Sequence, residues 1–337
     1  MCPLLFKRIS VPQKSQNSPG HSDPLLAALE RGMLGVSKRK KLLVGVSGGC
    51  DSMVLLHALQ ASGFKNLIVA HLDHTLRARS SAADARLVAN EAKRQGLPLE
   101  HARARSADYA AKEKKSLELA ARELRQAFFQ ECGLRSGARS LVLAHHADDQ
   151  VETCLFHFLR GSGAAGLGGM KPVSKLGRLT VYRPLLAVTR SEISRYQKQH
   201  RIRFREDLSN AALQHTRNKI RHQVLPQIAE VMGDSFRGAI LRTAEILRSE
   251  DEWMNTLVPD FGAELDCAQL REMHPALASR TVLRWLRLGG VPETGRLETL
   301  RVLSLLDPVR GPAKVSLPGD FQARRRSGVL FLESSRR

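Results

Sequence analysis

Residues 42–52, Leu-Leu-Val-Gly-Val-Ser-Gly-Gly-Cys-Asp-Ser, decide the fold. Leu42, Leu43, Val44 and Val46 form a short apolar run suited to a buried strand. Ser47, Gly48 and Gly49 follow at once, and Met53, Val54, Leu55, Leu56 and Leu59 mark a helix that begins at Asp51. A strand, a Ser/Gly turn and a helix N-terminus together make an anion site. The turn lets backbone N–H groups approach a phosphate, and the helix dipole favours its charge. Ser47 and Ser52 add hydroxyl donors. No G-x-x-x-x-G-K-[ST] pattern is present, so this is not a Walker A loop. An ordinary glycine turn would explain a bare Gly-Gly pair, but it does not explain Ser, Gly, Gly, Asp and Ser placed directly after a strand.

Outward from that loop, strand and helix patterns alternate. Asn66–His71 reads as a second buried strand, Ala82–Gln95 as a helix, and Leu99–Ala104 as a polar edge strand. Ser106–Cys132 is helical with one break, Ser140–Ala144 is a strand, and Asp148–Leu159 is a helix. Val181–Leu186 and Ser191–His200 add a strand and a helix. The fold class is therefore α/β, a parallel sheet with helices on both faces. Ligands of such sheets bind beyond the carboxyl ends of the strands. The Ser47 loop, His71–Asp73 and His145–Asp149 all fall there and converge on one site. Past Pro226 the pattern turns mainly helical, and Lys314–Leu317 and Val329–Leu332 are expected to pair as a hairpin around Gly319–Gly328. The expected division is a flexible tail at 1–22, a first domain at 23–222 and a C-terminal domain at 223–337.

Composition narrows the partner. The chain has 337 residues, with 53 Lys+Arg against 33 Asp+Glu, a formal net charge of +20. That excess favours a polyanion, and nucleic acid above other candidates. The five cysteines are scattered with no C-x-x-C, which speaks against a structural metal site or a disulfide framework and fits a reducing cytoplasm. No run approaches the ~20 apolar residues of a membrane span, so no membrane partner is expected.

Several segments carry further chemistry. His71-Leu-Asp73-His74 ends a strand, where Asp73 is either a ligand for a cation or simply a hydrogen-bonded terminus. Glu118 and Arg122, four apart, are most simply a surface ion pair. His145, His146, Asp148, Asp149 and Glu152 put two imidazoles and three carboxylates into eight residues, more than helix capping requires. They suit Mg²⁺ through oxygen ligands or an ammonium group. Gly161–Met170 is glycine-dense, read as either a linker or an active-site flap. Glu206–Asn210 precedes Thr216–Arg221, where Arg217 and Arg221 close a basic stripe suited to phosphates.

Together these segments resemble the tRNA(Ile)-lysidine synthetase family of N-type ATP pyrophosphatases. The carriers are SGGCDS at Ser47–Ser52, HLDHTLR at His71–Arg77, SLELAARELR at Ser116–Arg125, AHHADDQVET at Ala144–Thr153, RGSGAAGLGGM at Arg160–Met170, and EDLSN with RNKIR at Arg217–Arg221. Gln126 departs from the pattern, since an aromatic is usual after Arg125. The resemblance implies ATP and Mg²⁺ as cofactors, and L-lysine and a tRNA(Ile) with a CAU anticodon as partners. It implies adenylation of the wobble cytidine followed by attack of lysine, with release of pyrophosphate and AMP. Ser47, Gly48, Gly49, Cys50, Asp51 and Ser52, with His71 and Asp73, would hold the nucleotide, and Asp51 the metal. Arg122 or Arg125 would stabilise charge on the α-phosphate or the leaving AMP, Asp149 and Glu152 would orient the lysine ammonium, His145 is a second base candidate, and Arg217 would anchor the cytidine or a flanking phosphate. The second domain would bind tRNA. The oligomeric state, including a homodimer, is left open. A tRNA thiolase on the same fold is the runner-up and would need a sulfur-handling cysteine pair. A protein that only grips RNA would leave the phosphate loop and the acidic helix unexplained.

Overall fold

The computed structural model describes residues 23–75, 78–205, 216–307 and 309–334. The tail at 1–22, Arg77 and the Glu206–Asn210 segment lie outside the described residues. The first elements are α1 (Pro24–Gly32), β1 (Leu42–Gly45), α2 (Cys50–Ala61), β2 (Leu67–Asp73), α3 (Ala78–Arg94) and β3 (Leu99–Arg103). Then come α4 (Ser106–Lys112), α5 (Leu117–Ser136), β4 (Ser140–Val142), α6 (Ala147–Leu159), α7 (Ala164–Leu167), β5 (Val173–Leu176), β6 (Leu179–Tyr182) and α8 (Arg190–Gln199). The break between α4 and α5 falls where Lys114 takes a positive φ of 52° and Ser116 caps the new helix by accepting from the Leu119 N–H.

A six-stranded sheet runs β3-β2-β1-β4-β6-β5, parallel except for β5 at one edge. Alternate residues of the central strands feed opposite cores. Leu42, Val44, Leu67 and Val69 pack with α1, α2, α3 and α8. Leu43, Ile68 and Ala70 pack with Phe128, Phe129 and Cys132 of α5. Burial on both faces is why β1 reads as a continuous apolar run instead of an alternating one. Each such side chain contributes about 1.5–3 kcal/mol. The β5 strand was not visible in the sequence because Val173–Leu176 alternates exposed and half-buried residues at a sheet edge.

After a short helix α9 (Thr216–Lys219) and a π-helical turn at Ile220–Val224 follow α10 (Leu225–Met232), α11 (Phe236–Thr256), β7 (Leu265–Asp266) and α12 (Cys267–Glu272). The chain continues through α13 (Pro275–Leu288), α14 (Arg296–Leu303), β8 (Lys314–Leu317), β9 (Phe321–Arg326) and β10 (Val329–Ser334). Contacts divide the protein into one unit of 1–150 and 171–226 and a second of 151–170 and 227–337. The sequence reading placed 151–170 in the first domain. In the structure this segment packs with the second unit: the Arg248 Nη1 donates to the Met170 carbonyl at 3.2 Å, and α7 lies against α11.

The second unit has its own core, in which Trp285 donates to the Ala263 carbonyl at 2.8 Å and Arg280 pairs with buried Asp251 at 2.6 Å. Its sheet, β7-β10-β9-β8, is antiparallel and corrects one expectation. Lys314–Leu317 and Val329–Leu332 do not pair with each other, because β9 lies between them and pairs with both. Two tight turns, at Gly319–Asp320 and Ser327–Gly328, all with positive φ, make two hairpins where one was expected. The sequence FQARRR concealed the strand, since Ala323 is its only fully buried residue. Among the described residues, no helix is long and apolar enough to cross a membrane.

Candidate active site

Strands β2, β1 and β4 are adjacent, and the chain leaves β1 toward β2 on one side while β4 lies on the other. Loops after these strands therefore meet at a topological switch point, the ligand crevice of such sheets. The loop after β1 is internally braced. Ser52 Oγ donates to the Gly49 carbonyl at 3.0 Å and accepts from the Ser47 N–H at 3.1 Å, and Ser47 Oγ accepts from the Gly49 N–H at 3.3 Å. Gly48 has φ +92°, a conformation that strains any residue with a Cβ. Gly49 precedes α2 without a side-chain cap, so the first-turn N–H groups of α2 point at the loop unpaired within the helix. The loop is also held from outside. The Arg205 N–H donates to the Gly48 carbonyl at 3.0 Å, and its Nε donates to Asp84 at 2.7 Å.

Asp51 sits in the first turn of α2 and faces His146 from the loop after β4, Oδ2 to Nε2 at 3.6 Å. His146 also lies 3.5 Å from Asp149 and 3.7 Å from Asp148. Burial disfavours the imidazolium, yet Asp51, Asp149 and Asp148 carry its pKa above the ordinary value. Burial likewise pushes the Asp51 carboxyl up, but His146, Arg190 and Arg221 bring it below the usual range. Asp51 is thus an anion held in place by cations. Its Oδ1 is buried without a protein hydrogen-bond partner. Such an oxygen fits a hard divalent cation. Among the described residues, no group of three or more His, Cys, Asp or Glu side chains is arranged to hold a metal alone. The remaining ligands would have to be phosphate oxygens and water.

The other expected residues divide into several roles. Asp149 accepts from the His146 N–H at 3.1 Å and pairs with Arg221 at 3.1 Å, and Asp148 accepts the Arg190 N–H at 2.9 Å. Glu152 follows on α6 and is buried. His71 is buried, donates Nδ1–H to the Val46 carbonyl at 2.8 Å, and keeps a buried Nε2 without a partner. Burial holds it neutral, so Nε2 is an acceptor. Asp73 is less available. Its oxygens serve the Thr75 N–H at 2.8 Å and Arg103 at 3.6 Å, which is the terminus role. Cys50 is a thiol, pushed up to about 11 by burial and by Asp51.

The surface ion pair between Glu118 and Arg122 does not form. Arg122 instead belongs to a set of guanidinium groups around His145. Burial, then Arg183, Arg125, Arg217 and Arg122, depress the His145 pKa to about 3. It is a neutral ring among cations, and a poor proton acceptor until an anion joins them. Sequence reasoning overlooked one member of the site, Arg183, and gave His146 no role of its own within its cluster. Arg183 donates to the Lys171 carbonyl and to Ser174, both at 2.9 Å, while its Nε is buried without a partner. The positional rule that found His71 and His145 would have found it, because Arg183 directly follows β6.

Residues 24–228 match the PP-loop domain family, and 265–331 match the TilS substrate binding domain. Over 315 residues the chain is 35% identical to the tRNA(Ile)-lysidine synthase of Solibacter usitatus, covering 86% of this chain and 68% of that protein. The chain belongs to the tRNA(Ile)-lysidine synthase family. A second family member, from Bacillus subtilis, is 37% identical over 225 residues, 66% of this chain and 48% of its own length. Against that relative the chain spans about half the length. Among solved structures, the U34-tRNA thiolase NcsA from Methanococcus maripaludis superposes with a TM-score of 0.50 at 15% identity, over 66% of this chain and 78% of that one. That likeness concerns the fold alone. Every site residue described above falls within the residues matched to the PP-loop domain.

Proposed function

We propose that the protein joins free L-lysine to the wobble cytidine of a tRNA(Ile) bearing a CAU anticodon, through an adenylated cytidine, with release of pyrophosphate and AMP. One juxtaposition carries this reading: a phosphate cradle without a Walker lysine next to the charged Asp51–His146–Asp149 group and the arginine set around His145. The family supplies the tRNA and the modification. The geometry supports the division of labour.

The Ser47–Ser52 backbone and the α2 N-terminus would take the pyrophosphate portion of ATP. Asp51, with its unpartnered Oδ1, would hold Mg²⁺ against those phosphates. The ion supplies charge neutralisation as pyrophosphate departs. The partnerless His71 Nε2 is free to accept a hydrogen bond from the nucleotide. Arg122, Arg125, Arg183 and Arg217 would surround the α-phosphate and later the leaving AMP. Four fixed cations stabilise developing negative charge with little reorganisation. Arg217 would also anchor the cytidine or its flanking phosphate.

Asp149 and Glu152 would orient the lysine ammonium. Asp149 already pairs with Arg221, so the ammonium must share or displace that guanidinium. His145, with its conjugate acid near 3, is a weak base in the ligand-free protein. A phosphate among the arginines would raise it. The thiolase reading loses support from Cys50, whose pKa near 11 leaves no thiolate at neutral pH.

The deciding assay supplies radiolabelled lysine, ATP and a CAU-anticodon tRNA(Ile) transcript. Lysine incorporation with stoichiometric AMP is the expected result. No incorporation under conditions that support a known family member rejects the proposal. Loss of incorporation with a chelator, restored by Mg²⁺, is expected from the Asp51 role.

A further inference from the structure

The open face of the second unit's sheet has a chemistry that the active site does not use. Register and pleat determine which side chains share it. Leu317, Ala323 and Leu330 belong to the core beneath the sheet, with Val315, Phe321 and Leu332 packed against it. The alternating residues Lys314, Ser316, Gln322, Arg324, Arg326 and Phe331 therefore face away. Lys314, Arg324 and Phe331 form one row across three strands, since Lys314 pairs with Arg324 and Arg324 with Phe331. Ser316 and Gln322 make the next row.

Three cations thus flank a half-buried aromatic on an otherwise polar sheet. Two carboxylates share the face: Asp266 of β7, opposite Val329, accepts from the Gln269 N–H at 2.8 Å, and Glu333 pairs with Arg324 at 2.8 Å. Both side chains are well exposed, 40% for Arg324 and 46% for Glu333, so this pair is weak and a phosphate can take its place. Arg325 does not belong to the set. It turns to the core side, where its Nη1 donates to the Asp307 carbonyl at 2.7 Å. The run Arg324-Arg325-Arg326 therefore contains two outward cations and one structural anchor.

We propose that this sheet face docks the tRNA, with Lys314, Arg324 and Arg326 contacting phosphates and Phe331 stacking on an unpaired base. Sheets that present an aromatic among basic residues bind single-stranded RNA by this division of labour. A protein partner would call for a continuous apolar patch, and here the apolar area is confined to Phe331 and Val329. The net charge of +20 points the same way. The inference rests on the tRNA substrate proposed above and locates a surface for it on the second unit.

The test compares full-length chains binding the unmodified CAU-anticodon tRNA(Ile) transcript across a salt series. Replacing Lys314, Arg324 and Arg326 with Gln is expected to flatten the plot of log Kd against log salt by about two units, at about 0.7–0.9 per lost phosphate contact. Phe331→Ala is expected to weaken binding about tenfold with an unchanged slope. Arg325→Gln is expected to leave the slope unaltered. Ultraviolet crosslinking of the wild-type chain to a 4-thiouridine-substituted transcript adds a readout independent of folding, with the adduct expected on 321–334. Wild-type Kd and slope in both the triple variant and Phe331→Ala, in protein that makes lysidine, overturn the docking face. Wild-type protein that binds the transcript through this face but never incorporates lysine overturns the catalytic reading and leaves the docking face standing.

Discussion

Replacing Asp51 with Asn removes a charge and leaves the shape unchanged, and the two readings of Asp51 differ sharply on the result. If its carboxylate were a structural partner of His146, breaking the buried pair would cost about 3–5 kcal/mol. The structure argues for much less. His146 keeps Asp149 at 3.5 Å and Asp148 at 3.7 Å, so its cation is not left alone. The lowered Asp51 pKa means that some attraction to His146 is lost. In the other direction, Asn keeps a polar atom at the unpartnered Oδ1 position but removes the cost of burying the carboxylate charge, which offsets part of that loss. The two effects oppose, and the net change expected is under about 2 kcal/mol. Adenylation, in contrast, is expected to fall at least 10²–10³-fold, about the effect of deleting one electrostatic element of an active site. Urea unfolding and ATP-dependent pyrophosphate release, measured on the same preparation with tRNA affinity as a control, separate the cases. Destabilisation beyond about 3 kcal/mol, or near-normal pyrophosphate release, would refute the assignment.

Gly48→Ala is expected to destabilise the protein by about 1–2 kcal/mol through backbone strain at φ +92°, and to raise the KM for ATP more than it lowers kcat. Initial-rate kinetics and thermal unfolding read both effects. Cys50→Ala is expected to retain activity within a few-fold, and the wild-type thiol to react slowly with iodoacetamide at pH 8, because its pKa is about 11. His74 hydrogen-bonds Ser106 at 2.9 Å, and burial, then Arg125, depress its pKa to about 4. The unfolded chain therefore takes up a proton that the folded one refuses. Stability is complete above about pH 6.5 and declines toward pH 4 by up to about 1.4 kcal/mol per unit. His74→Gln is expected to reduce that slope in denaturant titrations across this range and to leave the share that His145 and His71 contribute.

The sheet was legible because its central strands are buried on both faces and carry their own punctuation. Leu42–Val44 ends in the glycine loop, and 67–73 ends in His71 and Asp73. Where burial fails, so did the reading. Val173–Leu176 at the sheet edge and Phe321–Arg326 on the small sheet have no apolar alternation strong enough to mark a strand. The loop and the acidic helix start were legible as chemistry, since their residue types are unusual at those places. Their partners were not. Arg183, Arg205 and Arg221 reach the site from positions distant in the chain, and a basic stripe looks the same in sequence whether it is solvated or folded inward. The excess of positive charge further obscured which arginines matter.

The tie between Arg205 and the phosphate loop has a consequence for the order in which the protein matures. Arg205 and Asp84 lie 121 residues apart, and the Arg205 amide also fastens the Gly48 carbonyl. Contacts that close so long a loop form late, after the local strand–loop–helix unit has condensed. During synthesis the nucleotide cradle therefore exists first without its clasp, and it is completed only when the segment beyond α8 has emerged. Nucleotide can stabilise only the finished cradle. If the loop holds ATP as proposed, a chain truncated before residue 205 is expected to lose part of the stabilisation that ATP gives the full chain.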